Sequence, residues 1–253
     1  MTNAVLHALF EGPARPEPDA IARVFGEDAE VRVEGATTDV RLGQRHARAV
    51  LSELPLATEE LDQSLVVAHL RADQKSRLRA HTSHAVLTCD GEADAGDLFM
   101  LYALAAALTD GALVGVVNPI TGMALDGDML RETLEEDFVE AFLEHPATSL
   151  GLWLGFVKLF RPDGGIWLVT RGGELMALPN LACLVGNRDE IDRVYDMFVS
   201  ILDYVSDSGA ALLVGQRLEL AGEELRLVAP YEYENAVGVE TLVVERVGDD
   251  AVS

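Results

Sequence analysis

The sequence predicts an α+β fold: two ferredoxin-like (split βαβ) α/β layers with mainly antiparallel sheets, joined through a buried helix. Three observations lead there. The first 90 residues alternate strand-like and helix-like runs in the order βαββαβ, and residues 112–215 follow a related order, βαββ(β)αβ. Between them, "LFMLYALAAAL" (98–108) is an uninterrupted apolar run. It is short of the ~20 residues that span a bilayer, which makes it an internal helix. The corresponding division is an N-terminal half, 1–90, and a C-terminal α/β half, 91–253. The likeness between the halves is one of pattern, without a residue-level repeat.

Taken in order, "AVLHALF" (4–10) is a strand, "PDAIARVFG" (18–26) a short helix and "AEVRVEG" (29–35) an alternating strand. "RHARAVLSEL" (45–54) supplies a third strand. In 57–72 the recurrence of Leu61, Leu65, Ala68 and His69 is helical, with Thr58 as N-cap, and "SHAVLTC" (83–89) is a strand. The internal helix covers 94–109 and Gly111 ends it; "ALVGVVNP" (112–119) is a buried strand, followed by a helix over 127–144. Strands 152–160 and 165–170 meet across the turn "RPDGG", and 180–186 adds another. The helix 189–207 presents Ile191, Val194, Tyr195, Phe198, Leu202 and Val205 on one side. Strands at 210–215, 223–229 and 239–247 close the sequence.

With 49% hydrophobic residues in 253, the chain can bury one large core or two modest ones. Cys89 and Cys183 stand far apart and outside any CxxC spacing, which fits a reducing compartment and no zinc-finger arrangement. The opening "MTNAVLHALFEGPARPEPD" lacks the basic start and long apolar run of a signal peptide, so a cytoplasmic location and no membrane association are expected. Net charge is −24 and uneven: residues 1–90 carry 14 acidic and 10 basic side chains, the rest 29 and 9. A phosphate-binding surface needs clustered Lys and Arg, so no nucleic-acid partner is expected. A basic protein partner fits the charge, as does solubility alone; only Lys75 and Lys158 are lysines. A homodimer is a further arrangement left open.

The densest chemistry lies in "HTSHAVLTCDGEADAGD" (81–97). His81 and His84 would share a helical face and could then ligate zinc. The β-branched run after Ala85 makes His84 a strand residue instead, and three positions along a strand point to opposite faces. Calcium is no better served. Counting an EF-hand loop from Asp90 puts Ala95 at position 6 and Leu101 at position 12, where glycine and glutamate belong. The acids Asp94 and Asp97 fit the N-terminal end of the following helix, where its dipole favours negative charge. No metal and no cofactor are therefore expected.

Arg71, Lys75, Arg77 and Arg79 in "RADQKSRLRAH" form a basic cluster that reads as a run of loop charges, solvated or internally paired. No GxGxxG, Walker loop, GxSxG, HExxH or DFG-type signature occurs. Cys183 sits in an apolar strand, as a core residue does. No catalytic residue can be named, although sites assembled from distant residues leave no local trace.

From about His81 onward the order of features resembles a bacterial family known as domain of unknown function 4261. The shared features are "HTSH", "LVGVVNP", "TRGG" (170–173), "LPNL" (178–181) and "LDYVSDSGA" (202–210), over roughly residues 81–247. Asn180 and Ala182 depart from the acids expected there. The resemblance implies a bacterial cytosolic setting and a fold, with no activity attached. Gly172 and Gly173 permit a sharp turn after a strand and Pro179 re-enters extended backbone, so the loop holds Thr170, Arg171 and Glu174 near a sheet edge.

Helical spacing in "DGDMLRETLEEDFVEAFLEH" puts Leu130, Leu134, Phe138 and Phe142 on a buried stripe and Glu132, Glu136, Glu140 and Glu144 on an outer ridge, with Arg131 as its nearby cation. The leading functional expectation is thus a non-catalytic binding protein whose acidic later half, with this ridge, faces a partner. The alternative is an enzyme or small-ligand binder using the 170–174 loop with His84 or the Arg71–Arg79 cluster.

Overall fold

Strand β1 (Val5–Phe10) is flanked on both sides, by β5 (Ser83–Cys89) and by β6 (Leu113–Asn118), each antiparallel to it. A meander of β2 (Ala29–Glu34), β3 (Thr37–Leu42) and β4 (Arg45–Ser52) extends the sheet beyond β5, and β7 (Met123–Asp126) closes the other edge. The seven-stranded order is β2-β3-β4-β5-β1-β6-β7. The computed structural model describes residues 4–68, 70–91, 94–109, 112–134, 154–162, 164–176, 178–220, 222–233, 237–238 and 240–247. It divides into two units, 1–146 and 147–253.

The meander owes its tightness to two glycines. Glu34 pairs with Thr37 and Leu42 with Arg45, so each turn has two central residues, and the first of each, Gly35 and Gly43, takes φ +60. A positive φ at the first central position and not at the second is the type II′ arrangement, whose twist matches that of the strands it joins.

Helices α1 (Pro18–Phe25), α2 (Thr58–Val67), α3 (Ala72–Arg79), α4 (Ala95–Ala107) and α5 (Gly127–Thr133) belong to this unit. Leu9 of β1 packs with Val114, Val117 and Ala124 against Leu61 and Leu65 of α2 and Leu78 of α3. Helix α4 packs against β4 and β5. On β4 it is Ala47 and Ala49 that are fully buried, while the alternating Arg48 and Val50 are exposed, so α4 lies on the alanine side. The Arg48 side of β2–β4 carries charge rather than apolar bulk.

The second unit has a six-stranded sheet ordered β11-β12-β13-β10-β9-β8. Its strands are β8 (Gly155–Phe160), β9 (Ile166–Arg171), β10 (Asn180–Val185), β11 (Arg217–Leu220), β12 (Glu223–Val228) and β13 (Thr241–Arg246). Among the described strands of this sheet, only the central β10–β13 pair is parallel. Helix α6 (Ile191–Ser208) buries Val194, Phe198, Ile201 and Leu202 against Leu168, Leu181, Cys183, Leu225 and Leu227. It ends at Gly209 in the left-handed region.

The α+β class with mainly antiparallel sheets is what the chain forms. The pairing inside the sheets differs from the split-βαβ expectation. Every pair in the first sheet is antiparallel, and strand β3 is inserted where the sequence reading had a connection. The boundary falls at 146/147 rather than 90/91, because β6 and β7 complete the first sheet. Helix α4, expected to join two layers, packs within the first unit. The stretch 210–215, expected as a strand, is irregular: Leu213 and Val214 are exposed, and β11 begins only at Arg217.

Candidate functional site

The two histidines of "HTSH" hold backbone. His81 precedes β5 and is buried; its Nε2 accepts from the Leu56 N–H at 2.8 Å and its Nδ1 lies 2.6 Å from the Leu78 carbonyl. An amide can only donate and a carbonyl only accept, so the ring is neutral with its proton on Nδ1. His84, on β5, donates from Nδ1 to the Leu54 carbonyl at 2.8 Å. A third histidine joins them. His7 on β1 is diagonal to His84, with ring centroids 6.1 Å apart, and its Nε2 meets Glu60 Oε1 of α2 at 3.0 Å. His7 Nδ1 is buried and has no hydrogen-bond partner among the described residues. Burial holds His7 below the usual histidine range, against the pull of Glu60 and with the help of His84. Burial likewise lowers His81, opposed by its bond to Leu78. His7 and Glu60 escaped the sequence reading; a histidine inside the apolar "VLHALF" was the available signal.

The acidic residues after His84 divide between two jobs. Asp94 is the N-cap of α4, accepting from the Asp97 N–H at 2.9 Å, while Asp97 accepts from the Asp94 N–H at 3.1 Å. Arg45 pairs with both carboxylates. Asp90 instead meets His46 Nδ1 at 2.6 Å, and His46 Nε2 meets Asp39 Oδ1 at 2.9 Å, which Arg48 Nε also reaches at 2.8 Å. Burial would raise Asp39, but the hydrogen bonds from Arg48 and His46 bring it below the usual carboxylate range. This ladder belongs to the charged side of β3 and β4. It was invisible in sequence because β3 was unrecognised.

The Arg71–Arg79 cluster lies on helix α3 rather than in a loop. Each cation is engaged: Arg71 with Asp73 at 3.3 Å, Lys75 with the Leu65 carbonyl at 2.5 Å, Arg77 with Asp128 at 3.2 Å and Asp126 at 3.3 Å, and Arg79 with Asp62 at 2.9 Å.

In the second unit the 170–174 loop closes on itself. Thr170 is buried and its Oγ1 accepts from the Leu181 N–H at 2.7 Å. Gly173 N–H donates to Asn180 Oδ1 at 3.1 Å, and Asn180 Nδ2 donates to Glu174 Oε2 at 3.0 Å. Arg171 is exposed. His84, which the sequence reading combined with this loop, belongs to the first unit.

Of the proposed glutamate ridge, Glu132 is exposed on α5; Glu136, Glu140 and Glu144, with Phe138 and Phe142, lie outside the described residues. A second acidic ridge is described. Asp192, Asp196, Asp203 and Asp207 recur at helical spacing on α6, opposite the stripe that carries Val194, Phe198 and Leu202. The one cation of this helix, Arg193, pairs with Glu223 of β12. The spacing of four, seven and four residues is present in the sequence, beside the stronger signal of the apolar stripe.

No grouping of three or more His, Cys, Asp or Glu side chains among the described residues is arranged to hold a metal ion. No helix among them is long and apolar enough to cross a membrane. No family model, curated protein or solved structure matches the chain.

Proposed function

We propose that this is a non-catalytic binding protein that engages a basic protein partner through the acidic surface of its second unit. The observation that carries the reading is the α6 ridge of Asp192, Asp196, Asp203 and Asp207, whose only helical cation is already taken by Glu223. Like charges at i,i+4 cost about 0.2–0.5 kcal/mol per pair in a helix. A partner's lysines or arginines would relieve that cost on docking. The chemistry-bearing side chains found elsewhere support the same reading, since His81, His84, the basic cluster, Thr170 and Glu174 make hydrogen bonds within the protein's own structure. We also propose a bacterial cytosolic setting, as a divergent member of the domain of unknown function 4261 family. That reading rests on the resemblance of the sequence segments, which lie on β5, β6, the β9 turn, the start of β10 and the end of α6.

The test is a native pull-down from bacterial lysate with wild type and with Asp196→Lys/Asp203→Lys. Wild type is expected to capture a stoichiometric basic protein that high salt releases, and the double variant to lose it. Equal capture by both overturns the reading.

A further inference from the structure

We propose that residues 54–60 form a proton-sensitive clasp: His84, His81 and His7 grip the Leu54 carbonyl, the Leu56 N–H and the Glu60 carboxylate, and acidification releases this segment together with α2 from the sheet. The three contacts fall within seven consecutive residues, and they come from β5, the turn before it and β1. Nothing comparable holds any other connection of this unit through several titratable rings among the described residues.

Protonation acts on two of the three grips, His81 and His7; the bond that His84 donates to the Leu54 carbonyl uses an N–H and needs no ring lone pair. His81 Nε2 holds Leu56 only as an acceptor; a proton there sets N–H against N–H in a buried place and turns the bond into a repulsion. Neutral His7 donates from Nε2 to Glu60, and its second proton would go to Nδ1, which is buried without an acceptor among the described residues. The charged groups around the cluster do little to favour protonation. Glu60 of α2 and His84 of β5 face His7; His84 faces His81. Strand β6 carries no ionisable side chain, Asp62 of α2 is held by Arg79, and Arg77 of α3 is held by Asp126 and Asp128. Glu59 of α2 is exposed. Glu60 is thus the carboxylate that would welcome an imidazolium at His7, and burial of that ring opposes it. Opening uncovers Leu61 and Leu65, which otherwise pack on Leu9 and Val117.

Hydrogen exchange of wild type between pH 7.5 and 5, corrected for intrinsic chemistry, tests this directly. Peptides from 54–67 are expected to lose protection at least about tenfold more than peptides from β2–β4 or from α6, because protons that the open segment takes up more readily than the closed one multiply its population. His81→Gln keeps an acceptor for Leu56 and cannot titrate in this range, so its 54–67 peptides are expected to lose clearly less than wild type. Loss of protection spread evenly over the chain, no loss at all, or an H81Q response equal to wild type overturns the clasp. Should H81Q fail to fold, the wild-type exchange profile alone decides, read against the His81 ring titration by NMR: opening must track that titration, and opening at an unrelated pH overturns it.

Discussion

The backbone N–H of Gly173 donates to the side-chain oxygen of Asn180, 3.1 Å away, while the amide of the same Asn180 donates to Glu174. One side chain thereby closes both ends of the turn that follows β9. An acid at this position, which the family resemblance led us to expect, would keep the acceptor for Gly173 and lose the donor for Glu174. Asn180→Asp should therefore destabilise the protein by about 1 kcal/mol, a lost hydrogen bond sharpened by two facing carboxylates. Adding Glu174→Gln should recover at least half. Urea unfolding of the single and double variants measures both, and equal midpoints for wild type and N180D would remove the bond from the list of stabilising contacts.

Much of the fold was legible because apolar periodicity is strong where burial is two-sided, as in "LVGVVN" of β6, every residue of which is buried. It failed where tertiary partners rather than pattern decide the structure. In "TTDVRL" only Thr38 and Val40 are buried, and Asp39 faces His46 and Arg48, so β3 shows few apolar residues to a reader of sequence. Helix α3 buries only Gln74 and Leu78, too thin a stripe to register among its charges. The opposite error occurred at "AALLVG": a short apolar run suits a strand, but with Gly209 and Gly215 at positive φ on either side the chain makes a loop there. The histidine contacts were out of reach for another reason. Leu54, Leu56 and Glu60 are far from His7, His81 and His84 in sequence, and backbone partners leave no residue-type signature.

Gly172 takes φ +92, a region that side chains with a Cβ branch adopt only under strain. Gly172→Val should cost about 1–3 kcal/mol. Gly172→Ala should fall at the lower end of that range. Thermal melts of the pair check the ordering, and a melting temperature unchanged in G172V would mean that the turn relaxes freely.

Acid should weaken the protein in two stages. The folded pKa values of His7 and His81 lie below the unfolded value of about 6.5, so the unfolded chain takes up those protons first. Their contribution is complete above about pH 6.5 and declines as pH falls toward the lowered folded values. Asp94, held down chiefly by Arg45, and Asp39, held down by Arg48 and His46 against the effect of burial, contribute above the unfolded value of about 3.9 and lose it below. Denaturation midpoints measured from pH 8 to 3 should show the first decline before the carboxylate one. A flat profile from pH 7 to 5 would contradict the histidine assignment.

On α6 stability and partner binding should move in opposite directions. Burial and the neighbouring Asp207 push the Asp203 carboxyl above the usual range, and its Oδ1 is buried without a hydrogen-bond partner among the described residues. A raised carboxyl contributes stability below its unfolded pKa and loses it as pH rises through the folded value, so at neutral pH the ionised Asp203 is a burden. Asp203→Asn removes the charge with almost no change of shape. It should raise stability at pH 7, because a partly buried charge is removed and one i,i+4 like-charge pair worth about 0.2–0.5 kcal/mol is relieved, and the gain should shrink on acidification as the wild-type carboxyl takes up a proton. If the ridge is a docking surface, the same variant should weaken capture of the basic partner, since a carboxylate that is costly in the free protein is what the partner's cations neutralise. Denaturant melts at pH 7 and pH 4, together with the pull-down, provide the measurement. A stabilised D203N that captures its partner as well as wild type does would leave the ridge as solvated surface, and a destabilised one would refute the strain assigned to this carboxyl.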